Sequence, residues 1–449
     1  MMKGLAMSLV TPESVQKLQT ALHDKAKKSP DFRFYALYDK VYRKDVLEFA
    51  YACSKANGGA AGMDGQTFED IESYGLERWL DELTQELKNR TYRPLPVRRV
   101  WIPKPDGKTQ RPLGVPAIRD RVPMMAAVLV LDPIFEADLQ PEQYAYRRDR
   151  SALDAVSQVH RLINSGHVEI VDADLTAYFD TLPHAELLKS VARRVVDRAM
   201  LHLIKMWLKA PVEETDERGK KHRNTRNRDE GRGSPQGSPI SPLLSNLYMR
   251  RFVLGWKTLG HERRLGAYIV NYADDLVICC QGKAEEALAV MRNMMTKLKL
   301  TVNETKTRVA TLPEDRFDFL GYSFGRCYST KTGRAYLGAV PARKRVQRIS
   351  KAISIETRRT TTTRRDSTEV VRKLNQMLNG WANYFCLGSV SRAYRAIDQH
   401  ARRRLRWWLC HKHKVARPGT GRFPDRCLYG SYGLTELGKR TYRFSWAKS

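Results

Sequence analysis

Three aspartates have the type and spacing from which chemistry can be built. Asp174 closes the apolar run Val168-Glu-Ile-Val-Asp-Ala-Asp174-Leu, and Asp274 and Asp275 sit side by side between two further apolar segments. A carboxylate beside a buried strand is costly unless something offsets its desolvation, and a divalent cation does so well. Carboxylates from segments 100 positions apart (174 and 274) suit a two-metal site. In such a site one Mg2+ activates an attacking oxygen and the other stabilises the leaving oxygen and its phosphates. Mg2+ fits because it needs few carboxylates and takes its other ligands from water and substrate phosphate. Asp-Asp is also an ordinary turn filler, so the dipeptide alone leaves both readings open.

Stepping outward from these residues, periodicity gives the elements that must hold them. Residues 11–56 read as two helical stretches broken near Ser29-Pro30-Asp31, and 58–65 as a glycine-rich loop. A helix is expected over 71–89, with Trp79, Leu83 and Leu87 on one face. A strand over 97–102 turns at 103–107 and returns near Arg111. Amphipathic helices are expected over 120–135 and 151–164, a buried strand over 167–175 and a helix over 185–209. The polar run 212–233 reads as an exposed hairpin or loop, followed by a helix over 238–252. Two apolar strands within 266–280 meet at a turn over 272–275, and a helix over 284–298 precedes short strands at 308–311 and 317–324. From Arg343 onward helices dominate, with loops at 358–366 and 416–424, and no internal repeat is visible. The pattern argues an α+β core followed by an α-helical appendage.

At 449 residues the chain suggests about three structural units. Its 42% hydrophobic content excludes disorder throughout. The net charge of +30 is lopsided: residues 341–449 hold 26 Lys+Arg against 6 Asp+Glu, leaving only +10 for the first 340. Such charge repels itself unless a polyanion neutralises it, and nucleic-acid phosphate is the usual partner. Trp381, Tyr384, Phe385, Tyr394, Trp407 and Trp408 are interleaved with these arginines and read as helix core, leaving the basic faces to nucleic acid. Seven scattered cysteines form neither a disulfide framework nor a zinc pair. No apolar stretch near the N-terminus reaches membrane-spanning length and no secretory signal is read, so a soluble cytoplasmic protein with no membrane partner is expected.

The flanks of the aspartates bring in a family. Asn271-Tyr-Ala-Asp-Asp-Leu-Val277 resembles the Tyr-Ala-Asp-Asp box of reverse transcriptases, and Asp172-Ala-Asp174-Leu-Thr-Ala-Tyr-Phe179-Asp180 their first catalytic block. Gly233-Ser-Pro-Gln236-Gly is similar to their Pro-Gln-Gly block. Arg99-Val-Trp-Ile-Pro-Lys104 and Arg111-Pro-Leu-Gly-Val-Pro resemble the fingers block, and Leu300-Thr-Val-Asn-Glu-Thr-Lys306 and Phe319-Leu-Gly-Tyr the late palm blocks. Asn379-Gly-Trp-Ala-Asn-Tyr-Phe385 and Arg404-Leu-Arg-Trp-Trp-Leu-Cys-His-Lys-His-Lys414 are similar to the maturase, or thumb, domain of group II intron-encoded proteins. The blocks run in order from about Tyr51 to Phe423.

The resemblance implies an α+β right-hand polymerase of fingers, palm and thumb with a basic, mainly α-helical C-terminal maturase domain. Its expected divisions are 1–90 (N-terminal extension and start of the fingers), 91–340 (fingers and palm), 341–425 (maturase X, or thumb) and 426–449 (basic tail). It implies RNA-directed DNA synthesis with Mg2+ held by Asp174, Asp274, Asp275 and the Leu175 carbonyl. Lys104 and Arg111 would grip the triphosphate, Gln236 touch the incoming nucleotide or template pair, and Lys306 protonate the leaving pyrophosphate. Phe179, five positions after Asp174, would exclude a ribose 2′-hydroxyl. An ordinary core aromatic and a plain surface lysine are the alternatives for Phe179 and Lys306. Arg402, Arg403, Arg404, Arg406, Lys412 and Lys414 are the candidate RNA contacts. The implied partners are group II intron RNA, an RNA template with a DNA primer, target DNA and deoxynucleoside triphosphates.

Several features depart from the family or stand outside it. Tyr144-Ala-Tyr-Arg-Arg-Asp-Arg-Ser151 replaces Tyr-Gly-Phe-Arg-Pro-Gly-Arg-Ser, and Ser238 replaces a common glycine. No HNH-type cluster follows the thumb. Gly433 to Arg440 nearly spells a P-loop but lacks the hydroxyl that would meet Mg2+. His400, His411 and His413 read as RNA-facing or solvated. A splicing-only maturase and a reverse transcriptase domesticated for defence remain as alternatives to a polymerase that also folds its intron.

Overall fold

The protein is described by a computed structural model covering residues 9–103, 110–216, 219–329, 332–358, 364–415 and 421–440. The strands are β1 (Val97–Pro103), β2 (Gln110–Val115), β3 (Glu169–Asp174), β4 (Val212–Thr215), β5 (Lys221–Asn224) and β6 (Ala267–Tyr272). They continue with β7 (Asp275–Cys280), β8 (Arg308–Thr311), β9 (Phe317–Phe319), β10 (Tyr322–Tyr328) and β11 (Ala335–Pro341). They form three sheets, ordered β2-β1-β4-β5, β6-β7-β3-β8 and β11-β10-β9.

The β6-β7-β3-β8 sheet is antiparallel and covered on both faces. Alternation sorts its side chains: Val171, Leu276, Ile278 and Ile269 enter one core, while Ile170, Val277, Cys279 and Val270 enter another. The first core is filled by helices Glu13–Lys28, Lys44–Asn57, Leu76–Lys88, Ile118–Glu136 and Ser241–Thr258. The second takes the helix Ala152–Asn164, β9 to β11 and the segment around Phe385. The helix Ile118–Glu136, expected to be amphipathic, is buried on nearly every face because neighbouring helices surround it.

Two expected helices are each broken by an identifiable device. The 71–89 stretch divides at Gly75 (φ 109°) into Phe68–Tyr74 and Leu76–Lys88. The 185–209 stretch divides into His184–Ala192 and Arg198–Leu208. Asp197 caps the second of these through the Ala199 (2.9 Å) and Met200 (3.2 Å) amides. β11 has no counterpart in the periodicity and exists because β10 pairs with it along its whole length.

A third core belongs to the C-terminal helices Arg343–Glu356, Ser367–Tyr384 and Ser391–Lys412, built on Ile353, Leu374, Leu378, Leu405 and Trp408. Residues 426–440, expected as a tail, pack back into it through Leu428, Leu434 and Leu437. The near-P-loop is part of this closure. Asp398 accepts the amides of Leu437 (2.9 Å) and Gly438 (2.8 Å), the groups a phosphate would need. Trp381, Tyr384 and Phe385 join this unit to the sheets, with the Tyr322 hydroxyl donating to the Tyr384 carbonyl (2.6 Å) and the Tyr384 hydroxyl to that of Leu320 (2.7 Å). Among the described residues no helix is long and apolar enough to cross a membrane.

One buried polar network ties the segment leading into β1 to the helices beneath it. The Tyr92 hydroxyl donates to Asp120 (2.6 Å) and accepts from Trp207 Nε1 (3.0 Å), and Asp120 also receives the Leu95 amide (3.0 Å). Burial pushes the Asp120 carboxyl up to about 6. Tyr92→Phe strands both the indole N–H and one carboxylate oxygen, at a cost of about 1–3 kcal/mol. It should lower the midpoint of urea unfolding with the slope unchanged; an unaltered midpoint would show that the network contributes nothing.

Candidate active site

The sheet register brings the acidic side chains together. Asp174, the last residue of β3, is the direct partner of Asp275, the first residue of β7, and Asp275 also pairs with Tyr272 across the hairpin. Cross-strand partners share a face with Cβ atoms about 4.5–5.5 Å apart. Asp172 lies two residues earlier on the same face, opposite Arg308 with Nε 3.7 Å away. Asp274 occupies the exposed second position of the two-residue turn.

Ala273 opens that turn in a left-handed conformation (φ 59°). The buried Asn271 side chain supports it, donating to the Ala273 carbonyl (2.9 Å). The Asn271 backbone is held too, donating to the Glu142 carbonyl (2.9 Å) and accepting from the Tyr144 amide (3.0 Å).

Asp174 is braced by the segment before β8. Asn303 Nδ2 and Lys306 Nζ each lie 3.0 Å from its Oδ2, and the Asn303 amide donates to its carbonyl (2.8 Å). Asn303 also accepts the Lys306 (3.1 Å) and Thr307 (2.9 Å) amides, so one asparagine shapes the loop that delivers Lys306. The bridge between Leu175 and Val302 is bonded through the Asp174 carbonyl and the Thr176 amide, which leaves the Leu175 carbonyl outside that ladder.

Phe179 and Gln236 are each held through a backbone carbonyl by a neighbouring segment. Phe179 is half-buried on the short helix Tyr178–Thr181, and its carbonyl accepts from the Ser234 amide (2.8 Å). The Gln236 carbonyl accepts from the Gly114 amide (2.7 Å), docking the Pro-Gln-Gly turn on β2. Gly237 must be glycine: at φ 119° a Cβ would lie 2.6 Å from the Gly114 carbonyl oxygen. Arg111 is exposed on β2, and Lys104 lies outside the described residues.

Two neighbours of the carboxylates had only weak sequence signals. Tyr146 sits at φ 57°, 44% exposed, in the altered loop. Burial by its neighbours, then the Asp274 charge, raises its phenol pKa, against the pull of Arg111. Its conformation is imposed by its surroundings. Asn246 donates to the Ala145 carbonyl (2.7 Å), Arg147 pairs with Glu136 and with the Gln140 (2.8 Å) and Gln143 (2.9 Å) carbonyls, and Arg148 reaches Gln19 (3.1 Å). Polar and charged contacts thus fix this loop. The second neighbour, Arg345, crosses over Gly321 and opposes the negative charge at Asp275.

Asp275 keeps surface at the mouth of the site, yet its surroundings strip water from the carboxyl. That desolvation, with repulsion from Asp274, Asp174 and Asp172, pushes its pKa up to about 7. Burial likewise raises Asp172 to about 6. Among the described residues no group of three or more His, Cys, Asp or Glu side chains is gathered so as to hold a metal ion as they stand. The donor set nevertheless fits a hard divalent cation: carboxylates on adjoining strand ends, mutually repelling, with open space for water and phosphate.

The C-terminal basic residues lie outside this cluster and divide into two sets. Arg402 and Arg406 pair with Asp425, Arg406 also reaches the Phe423 carbonyl (2.8 Å), and Arg404 bonds Thr357 and Ser354 (each 3.0 Å). Lys412 donates to the Arg365 carbonyl (2.6 Å). These four brace the helical unit, whereas Arg403 and Lys414 are exposed. His400 is not RNA-facing: it packs between helices on Ser354 (3.0 Å) and the Ser350 carbonyl (2.9 Å).

Comparisons with known proteins agree with this geometry. Residues 102–324 match the family model described as reverse transcriptase (RNA-dependent DNA polymerase), and residues 346–427 match the group II intron, maturase-specific domain. The chain is 29% identical over 367 residues to Protein YkfC of Escherichia coli, covering 74% of this chain and 93% of that protein. It is 31% identical over 227 residues to the group II intron-encoded protein LtrA of Lactococcus lactis, covering 50% and 36% respectively. With the putative COX1/OXI3 intron 1 protein of Saccharomyces cerevisiae it shares 28% over 329 residues, covering 62% and 38%. The chain thus spans nearly all of the first and little more than a third of the other two.

The raised Asp275 pKa gives a pH dependence with a definite sign. Its folded value of about 7 lies above the ordinary 3.8, so stability present below about 3.8 is lost as the pH rises through about 7. A cation relieves the repulsion only where the group is ionised. Added Mg2+ should therefore raise Tm more at pH 8 than at pH 6 in scanning calorimetry, and an equal or reversed increment would contradict a carboxylate cation site.

Proposed function

The chain belongs to the reverse transcriptase family and carries a group II intron maturase-specific domain, and from that premise we propose that it is an RNA-directed DNA polymerase which also binds its intron RNA to promote splicing and mobility. The observation that carries the polymerase reading is the register of Asp174 against Asp275, with Asp274 at the same strand end. In this reading the β6-β7-β3-β8 sheet is the palm, the β2-β1-β4-β5 sheet belongs to the fingers and the C-terminal helices are the thumb. Two Mg2+ ions, when bound, would activate the primer 3′-oxygen and stabilise the leaving pyrophosphate.

The chain's own residues supply the rest. Asp174, Asp274, Asp275 and the Leu175 carbonyl hold the cations, and Lys306, now on Asp174, stands ready to give a proton to pyrophosphate. Lys104 and Arg111 neutralise the triphosphate from the fingers side. The Phe179 ring, fixed through its carbonyl to the turn that carries Gln236, closes the space a 2′-hydroxyl would need. Tyr146 is close enough to Asp274 and Arg111 to feel both charges, and its ring would add a wall to the nucleotide pocket.

Maturase binding draws on the basic C-terminal unit. Besides Arg403 and Lys414, the helix Arg343–Glu356 exposes Lys344, Arg348 and Lys351 along one face, and the helix Ser391–Lys412 exposes Arg392 and Arg395. Arg402, Arg404, Arg406 and Lys412 support that surface from within. RNA template with DNA primer, target DNA and deoxynucleoside triphosphates complete the partners.

Asp274→Ala should cut Mg2+-dependent cDNA synthesis on a primed RNA template by at least about 10^2–10^3-fold, the scale of losing one preorganised charge-stabilising group. RNA affinity should stay as in the parent chain, measured by filter binding. Undiminished synthesis would remove the polymerase reading, and lost synthesis with unchanged intron splicing would separate the two activities.

A further inference from the structure

A cavity of about 290 Å3 lies away from the carboxylates, between the segment after the helix Leu76–Lys88, the short helix Tyr38–Val41 and the helix Arg198–Leu208. The charged side chains lining it are all basic: Arg90, Arg93 and Arg198, joined by His202. Arg198, His202 and Met206 recur every fourth residue and so share one face of their helix. Arg90 is held at φ 59°, and its carbonyl accepts from Arg93 Nη1 (3.0 Å), which fixes these two arginines relative to one another. The half-buried Tyr38 ring forms a flat wall, its hydroxyl pinned to the Leu87 carbonyl (2.7 Å).

The charge in this cavity is not balanced from within. Nearby, Arg193 and Arg194 both pair with Asp138. Among the described residues none of the three cavity arginines has a carboxylate partner. The adjacent acid, Asp197, is fully engaged: Oδ1 receives the Ala199 and Met200 amides, and Oδ2 those of Leu37 and Tyr38 (each 2.8 Å). Arg90, Arg93 and Arg198 are exposed around this one concavity, Arg93 keeping donors beyond the Nη1 that serves the Arg90 and Tyr92 carbonyls, and phosphate matches such forked donors. The volume falls just below the roughly 300–1,000 Å3 typical of a whole small-molecule site. It suits a phosphate with its sugar rather than a free coenzyme.

We propose that this cavity is a docking site for a backbone phosphate and ribose of bound RNA, separate from both the carboxylate edge and the C-terminal basic faces. The proposal rests on the reading of the chain as an RNA-binding maturase, and its test keeps the two apart. The double variant Arg90→Gln/Arg198→Gln, in the full chain, is compared with Arg403→Gln/Lys414→Gln for binding a transcribed group II intron RNA across a salt series. Each lost phosphate contact lowers the slope of log affinity against log salt by about 0.7–0.9. The cavity variant should therefore lower it by roughly 1.4–1.8 at an unchanged Tm, with Arg90→Lys/Arg198→Lys restoring most of it.

An unchanged slope in the cavity variant, with the C-terminal variant responding, overturns the proposal while leaving RNA binding intact. If inorganic phosphate binds the parent chain but not the cavity variant in calorimetry, and the RNA slope stays the same, the cavity is a free-anion site and the RNA assignment fails. If neither variant alters the slope, the RNA-binding reading itself fails and carries this proposal with it.

Discussion

Two like charges held on facing strand ends are the constraint to which the rest of the structure answers. Opposed carboxylates destabilise a β-pair, and a one-residue slip between β3 and β7 would send Asp174 and Asp275 to opposite faces. The slip is prevented by burial on both sides of the sheet. With β3 seated, it would drive Leu276 and Ile278 of β7 out of one core and Val277 and Cys279 out of the other. Hydrophobic burial thus holds the repulsion in place. Lys306 and Asn303 relieve it on the Asp174 side, and Arg345 on the Asp275 side.

The remaining parts of the site are located mainly by backbone hydrogen bonds between loops. Gln236 is fixed to Gly114, Phe179 to Ser234, and the turn at Ala273 to the 142–146 loop through Asn271. Such contacts fix the main chain, while the Gln236 side chain makes its own bond to Asp180 (3.4 Å). They also make the site a composite of segments far apart in the chain, none of which could be moved alone.

Much of this was legible in the residues. The alternating apolar runs around Asp174 and Asp275 marked the strands, and the ordered family blocks marked what they carry. Lys306 was singled out by its block, and its ammonium lies 3.0 Å from Asp174. What escaped depends on contacts that no local pattern encodes. The Gly75 and Asp197 breaks interrupt otherwise continuous periodicity, and β11 takes its identity from its partner strand. Asn271 and Asn303 act through backbone geometry, which residue type alone does not reveal. Arg402, Arg404 and Arg406 looked like an RNA surface because composition counts charge without showing that Asp425, Thr357 and Ser354 receive it. The near-P-loop, set aside on its sequence for want of a hydroxyl, is closed to phosphate in the structure as well, because its amides already serve Asp398.

The late-sequence leucines that complete the third core bear on how the protein is made. Leu428, Leu434 and Leu437 seat against helices that begin some eighty residues earlier, and Asp398 waits for amides at 437 and 438. During synthesis, N-terminal parts emerge and settle first. The first of the arginine-rich helices, Arg343–Glu356, therefore emerges well before the segment that seals its apolar side. Until residues 426–440 follow, the bundle keeps an open apolar face beside its own strong positive charge.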